Sequence, residues 1–251
     1  MASSRFEELD WRATPIGEIS LRRRREPTLD VDVYEVKLGE EFLMSSLFTT
    51  AEEELATLGL AALTGAERFA DSTLDVVVGG LGLGYTARTA LADSRVGTLW
   101  VVETLEAVID WHHDGLLPAA SELTQDPRCH LAHADFFAAV AGAGLGPPTL
   151  ADESGASPPV RWHAVLLDVD HAPDQVLHPS HAEFYTVAGL RRLAATLHPG
   201  GVFALWSDKP PDPSFTDVLA EVFGTVAAHV VRFPNFLTGA TSANTVYVAT
   251  V

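Results

Sequence analysis

In the stretch DVVVGGLGLGYT, Asp75 to Thr86, a run of β-formers meets four glycines within six residues: Gly79, Gly80, Gly82 and Gly84. Glycine admits positive φ and lets a ligand lie against the backbone, whereas one or two glycines suffice for a bare strand-to-helix turn. The spacing is Gly80-x-Gly82-x-Gly84, and Tyr85 stands where the dinucleotide fingerprint G-x-G-x-x-G has its last glycine. That pattern favours a nucleoside without a diphosphate. Glu103 closes the next apolar run, LWVVE, about 20 residues on, from where a carboxylate can accept hydrogen bonds from both ribose hydroxyls. Asp135, in HLAHADFF, is placed either to accept an adenine amino group or to cap a helix beginning at Phe136. A further run, RWHAVLLDVDHAPD, delivers Asp168, Asp170 and His171 to the same edge, the histidine being neutral and able to act as a base near pH 7.

The elements that must position these residues alternate. From Leu74 the pattern predicts strands over 74–80, 97–103, 130–135, 162–170 and 201–207. Helices over 85–92, 105–113, 136–143, 181–197 and 214–223 lie between or after them. Leu105, Val108, Ile109 and His112 keep the i, i+3, i+4, i+7 spacing, as do Leu190, Leu193, Ala194 and Leu197. Ser180 with Glu183 forms a capping box, and Pro199-Gly200-Gly201 stops that helix. Strands near 225–233 and 244–250 have no helix between them and should form an antiparallel hairpin at the sheet edge. In such a sheet, ligands bind beyond the carboxyl ends of the strands, where the glycine loop, Glu103, Asp135 and Asp168 would all lie.

The expected fold class is therefore α/β. A mostly parallel seven-stranded sheet with one reversed edge strand resembles the Rossmann-like S-adenosylmethionine-dependent methyltransferase fold. Residues 16–43 read as two strands, giving a β-hairpin extension over 1–48. The nucleoside-binding catalytic domain spans 49–251, opened by the capping box Thr50-Ala-Glu-Glu53. Residues 144–160 (GLGPPTLADESGASPPV) read as a mobile surface loop.

The 251 residues carry a formal charge of −18, which repels nucleic acid and anionic membrane. The basic run Arg22 to Arg25 sits between two extended patterns and reads as solvated residues of a hairpin. No run of about 18 uncharged apolar residues is present, and the start, MASSRFEELDWR, is charged where a signal peptide is apolar. A cytoplasmic protein is expected, in keeping with a lone cysteine, Cys129. No metal is expected. His130 and His133 point to opposite faces of a strand, His112 and His113 diverge on a helix, and only His178, His181 and Asp174 near His171 cluster in sequence.

The chain resembles the spermidine synthase family of aminopropyltransferases over nearly its whole length. The likeness runs through EEELATLGLAAL, VVVGGLGLG, VVE, HADFF, LLDVDHAPD, EFYTVAGLRRLAATLHPGGVFALWS and FPNFLTG. The resemblance implies a transferase that moves an alkyl group from a sulfonium donor, decarboxylated or intact S-adenosylmethionine, to a small acceptor such as an amine. It also implies a homodimer. Asp168 matches the catalytic aspartate and is assigned as general base. Departures fall on the acceptor side. Gly82 replaces the aspartate that grips the donor's free amine, and His171 falls on a second catalytic aspartate for which Asp170 is a one-residue neighbour. A framing tyrosine is replaced near Glu52 or Glu53, of which Glu53 is placed against the acceptor, and Phe236 stands where the family has a late tyrosine. Tyr185 and Trp206 are placed against the acceptor as well. These departures keep two other readings open: a methyltransferase with a non-polyamine acceptor, and a nucleoside-binding scaffold without activity.

Overall fold

Val76 and Val78 face one side of strand β5 (Leu74–Gly79) and Val77 the other, and all three are fully buried. The same two-sided burial holds for β6 (Val96–Glu103), with Leu99 and Val101 against Trp100 and Val102. It holds again for β8 (Trp162–Leu167). Continuous apolar runs of this kind belong to central parallel strands covered on both faces. With β7 (Cys129–His133), β9 (Leu197–Ser207), β10 (Thr225–Asn235) and β11 (Ala240–Thr250) they form a seven-stranded sheet in the order β10-β11-β9-β8-β5-β6-β7. The structure, a computed structural model, describes residues 6–14, 16–63, 69, 73–147, 149, 150, 152 and 155–251.

One face of the sheet is covered by α1 (Thr50–Ala61), α2 (Tyr85–Ala92), α3 (Glu106–His113) and the short α4 (Ala120–Thr124) through Leu55, Ala87, Val108 and Leu123. The other is covered by α5 (Phe136–Ala141), α6 (Val187–Ala194) and α7 (Pro213–Ala220) through Phe136, Leu190, Leu193 and Leu219. The chain leaves β5 toward β6 on one side and later pairs β8 on the other, so the switch point lies beside Gly79. No helix among the described residues is long and apolar enough to cross a membrane.

Four expectations need correction. The reversed strand is β11, antiparallel to both β9 and β10, but β10 is the edge. Burial explains the order: Val246 to Ala249 are buried, whereas β10 is largely exposed. The N-terminal region holds four strands, not two: β1 (Phe6–Thr14), β2 (Gly17–Glu26), β3 (Val31–Leu38) and β4 (Glu41–Ser45), an antiparallel sheet in sequence order. The 181–197 helix is split into a 3-10 turn, Pro179–Glu183, and α6, whose cap is Thr186, its side chain accepting from Gly189 N–H. Helix α1 is capped at Thr49 with no side-chain capping bond, so the box at Thr50 does not form.

The basic run is neutralised across the sheet. Glu35 accepts from Arg22 Nε at 3.0 Å and Arg24 Nε at 2.9 Å, and Arg23 reaches Glu7 at 2.6 Å. Residues 148, 151, 153 and 154 of the 144–160 stretch lie outside the described residues. Its described part is tethered: Leu145 and Leu150 are buried, the Leu145 carbonyl accepts from Trp162 Nε1, and Asp152 bonds His130.

Candidate functional site

The glycine loop follows β5 as expected, and the chain itself explains part of its composition. Gly80 has φ +91°, and a Cβ there would sit 2.2 Å from the Asp168 carbonyl oxygen. Asp168 N–H in turn donates to Gly79 O at 2.8 Å, which locks the end of β8 to the loop. Gly84, with φ +90°, has Leu123 Cδ1 and His112 Cε1 within 2.9 Å of where its Cβ would be, so close helix packing demands it. Glu103 braces the loop from beneath: Oε2 accepts from Leu81 N–H at 2.9 Å and Oε1 from Leu105 N–H at 2.8 Å. Burial pushes its carboxyl above the ordinary range, against the opposing pull of those amides. His112 closes the far side, with Nε2 3.0 Å from Gly82 O. Burial pushes this imidazole down to about 4, so near pH 7 it is neutral and Nε2 carries the proton it donates.

Above the loop lies a cavity of about 500 Å³. Its floor is Gly80 to Gly84, and Phe48, Tyr85, Trp206 and Phe233 form aromatic walls. Asp168 points into it and accepts from Thr86 Oγ1 at 2.8 Å; burial pushes its carboxyl up to about 6. Glu52, in the first turn of α1, faces the same space, and burial followed by repulsion from Asp168 pushes it up to about 8. His171 and Asp208 add to the polar lining with Ser45, Asn235, Ser242 and Asn244, and His171 Nε2 lies 3.4 Å from Glu41 Oε1. Among the described residues, no lysine or arginine lines the cavity.

No protein-family model matches the chain, and no curated protein matches its sequence. Solved structures do. A spermidine synthase in complex with the transition-state analogue AdoDATO aligns with a TM-score of 0.67 at 16% identity, over 97% of this chain and 72% of that one. The fold is that of the spermidine synthases. A spermidine synthase from Thermotoga maritima aligns equally well, at 15% identity over the same shares. A probable spermidine synthase from Corynebacterium glutamicum gives 0.63 at 16% identity, over 97% of this chain and 79% of that one. Human methyltransferase-like protein 13 in complex with SAH gives 0.54 at 19% identity, over 79% and 81%.

Within this spermidine-synthase fold the expected residues separate into two groups. Gly80, Gly82, Asp168, His171 and Trp206 converge on the cavity, and Gly84 bounds its floor. Gly79 is packed under Leu167 and Phe136. Glu103 lies behind the loop with both oxygens engaged by backbone amides, not on the cavity wall. Asp135 is exposed and caps α5, its Oδ1 accepting from Ala138 N–H at 3.0 Å; the unsatisfied amides of a helix start take the carboxylate, and it does not reach the cavity.

Asp170 is no base for this cavity. It is 1% exposed and accepts from Leu177 N–H, His181 Nδ1 and Tyr185 OH, all within 2.9 Å, because the chain turns inward after Asp168. Tyr185 is buried with it and does not line the cavity. Glu53 bonds Arg88 at 3.1 Å and Thr49, and its neighbour Glu52, about 100° round the helix, takes the cavity position instead. Phe236 is exposed and stacks on the outer side of Phe48, leaving Phe233 to line the wall.

The sequence reading missed Thr86 and Phe233, and of the two candidates Glu52 and Glu53 it favoured the one that faces away from the cavity. Glu52 was one helical position from the residue chosen, and only the placement of α1 separates the two. Near His178, His181 is hydrogen-bonded to Asp170 and Asp174 to Lys209. A different trio, Asp75, His163 and His198, meets at the opposite edge of the sheet, brought together by the starts of β5, β8 and β9. There Asp75 N–H already donates to His163 Nδ1 at 2.9 Å.

Proposed function

We propose that the protein is a transferase that binds an S-adenosylmethionine-type sulfonium donor over the Gly80–Gly84 loop and passes an alkyl group to a small nucleophile beside Asp168. The observation that carries this reading is Asp168 itself: a shielded carboxylate at a strand end, oriented by Thr86 and raised to about 6, opening onto a cavity floored by the glycine loop. Neighbours of the same fold carry names that point the same way, one in complex with AdoDATO and one with SAH.

The chemistry is an in-line displacement. The lone pair of the acceptor forms a bond to the carbon attached to sulfur, the C–S bond breaks, and its electron pair leaves with sulfur as a neutral thioether. A protonated amine has no lone pair to offer, so its proton passes to the Asp168 carboxylate before attack. Holding the two reactants aligned supplies most of the remaining acceleration. Aromatic walls and carboxylates, with no lysine or arginine among the described lining, favour a cationic reactant.

Aminopropyl transfer is the first reading and methyl transfer the second. The second is favoured by Met44, whose Sδ lies 3.1 Å from where a Gly82 Cβ would be, so the loop has little room for a side chain that would grip a donor amine. Incubating the protein with S-adenosylmethionine or its decarboxylated form and a pool of amines, and reading S-adenosylhomocysteine or methylthioadenosine by mass spectrometry, tests both. Asp168→Asn should cut turnover by about 100-fold or more. Formation of neither product rejects the transferase reading.

A further inference from the structure

Two carboxylates from different elements share one space. Glu52 enters from the first turn of α1 and Asp168 from the end of β8. Thr86 links the two elements that carry them, with Oγ1 2.8 Å from the Asp168 carboxylate oxygen Oδ2 and 3.2 Å from the main-chain carbonyl oxygen of Glu52. Its single proton serves one acceptor at a time, so it does not neutralise the pair. Arg88, the cation closest along α2, is held by Glu53 and lies over the Tyr85 ring, 4.8 Å from its centroid. The other titratable groups facing the cavity are Tyr85, His171 and Asp208, and Glu41 reaches His171 from β4. Two ionised carboxylates behind four aromatic rings repel strongly. A proton or a cation relieves them.

We propose that Glu52 and Asp168 jointly hold one proton while the cavity is empty and release it when a positively charged group of the substrate enters, which makes Glu52 a charge-selecting residue of the reaction centre. The pair stands on geometry; the nature of the entering group rests on the transferase reading. Only an O–H bond breaks, and the proton goes to solvent. The pair passes from a charge of −1 to −2 and the incoming cation restores −1, so the net charge of the filled cavity equals that of the empty one. The directions of titration agree, both carboxyls being pushed up and Glu52 the further of the two. A neutral analogue of the same shape would leave the proton in place.

Carboxyl titration by NMR, on protein carrying 13C in its aspartate and glutamate carboxyls, decides whether the pair exists. One aspartate and one glutamate resonance should move together in two steps, as interacting sites do. In Asp168→Asn the Glu52 midpoint should fall by about one pH unit or more, because the ionised Asp168 that opposes loss of its proton is gone. Independent single-step titrations, or a Glu52 midpoint unmoved in Asp168→Asn, overturn the pair. Calorimetry at pH 7 in buffers of different ionisation enthalpy then reads the proton. S-adenosylmethionine, a sulfonium cation, should expel roughly one proton and neutral methylthioadenosine none, with the difference lost in Glu52→Gln. Equal proton counts for the two overturn the release step. Failure of both to bind overturns that step and the transferase reading together, while the carboxyl titration still decides the pair.

Discussion

Replacing Glu52 by glutamine should make the protein more stable, increasingly so as pH rises from about 4.5 toward 8. The carboxyl lies at 4.5 when unperturbed and is raised to about 8 in the folded chain. A raised acid binds more protons folded than unfolded, so folding is undisturbed below 4.5, loses ground as pH climbs toward about 8, and is constant beyond. At about 1.4 kcal/mol per pH unit the ceiling is roughly 5 kcal/mol. Water entering the cavity and the proton exchanged with Asp168 bring the expected figure to about 2–3 kcal/mol. For a chain of this size that is a rise in Tm of the order of 5–10 °C. Thermal unfolding of wild type and Glu52→Gln from pH 4 to pH 9 should give curves that meet at the acid end, part steadily above about pH 4.5 and run parallel beyond about 8. A constant offset across the range, or a wild type more stable than the variant at pH 8.5, would refute the reasoning.

Gly80→Ala combines a strained φ with a Cβ 2.2 Å from the Asp168 carbonyl, so it should lower stability by about 3 kcal/mol or prevent folding, as chemical denaturation would show. Asp170→Asn places an amide against three donors and should cost about 2–4 kcal/mol, yet turnover below the unfolding temperature should stay within a few-fold of wild type, which separates this structural carboxylate from Asp168. The buried His112 resists protonation, so its contribution is complete above 6.5 and is lost as pH falls through about 4. Acid unfolding curves of wild type should steepen in that window by up to about 3 kcal/mol, and His112→Gln should remove that steepening.

Where the sequence was legible, burial was two-sided and periodic. β5, β6 and β8 announce themselves because each holds a continuous apolar run, Val76 to Val78, Leu99 to Val102 and Ala164 to Leu167, and Asp168 and the glycine loop follow from where those strands end. Side-chain direction beyond a strand end is a different matter. Asp168 and Asp170 are two residues apart, as on one face of a strand, but the strand has stopped at Leu167 and the turn sends one into the cavity and the other into the core. Glu52 and Glu53, and Phe233 and Phe236, are likewise separated only by the docking of α1 and by the end of β10 at Asn235. β1 escaped notice because FEELDWRAT carries carboxylates where alternation would show, its partners being the arginines of β2.

The most direct test of the account is a crystal structure determined with decarboxylated or intact S-adenosylmethionine at saturating concentration. The account predicts the donor lying over Gly80 to Gly84, with its sulfonium inside the aromatic walls and the transferable carbon turned toward Asp168. A cavity that stays empty at saturation, or a nucleoside seated elsewhere on the molecule, would contradict it.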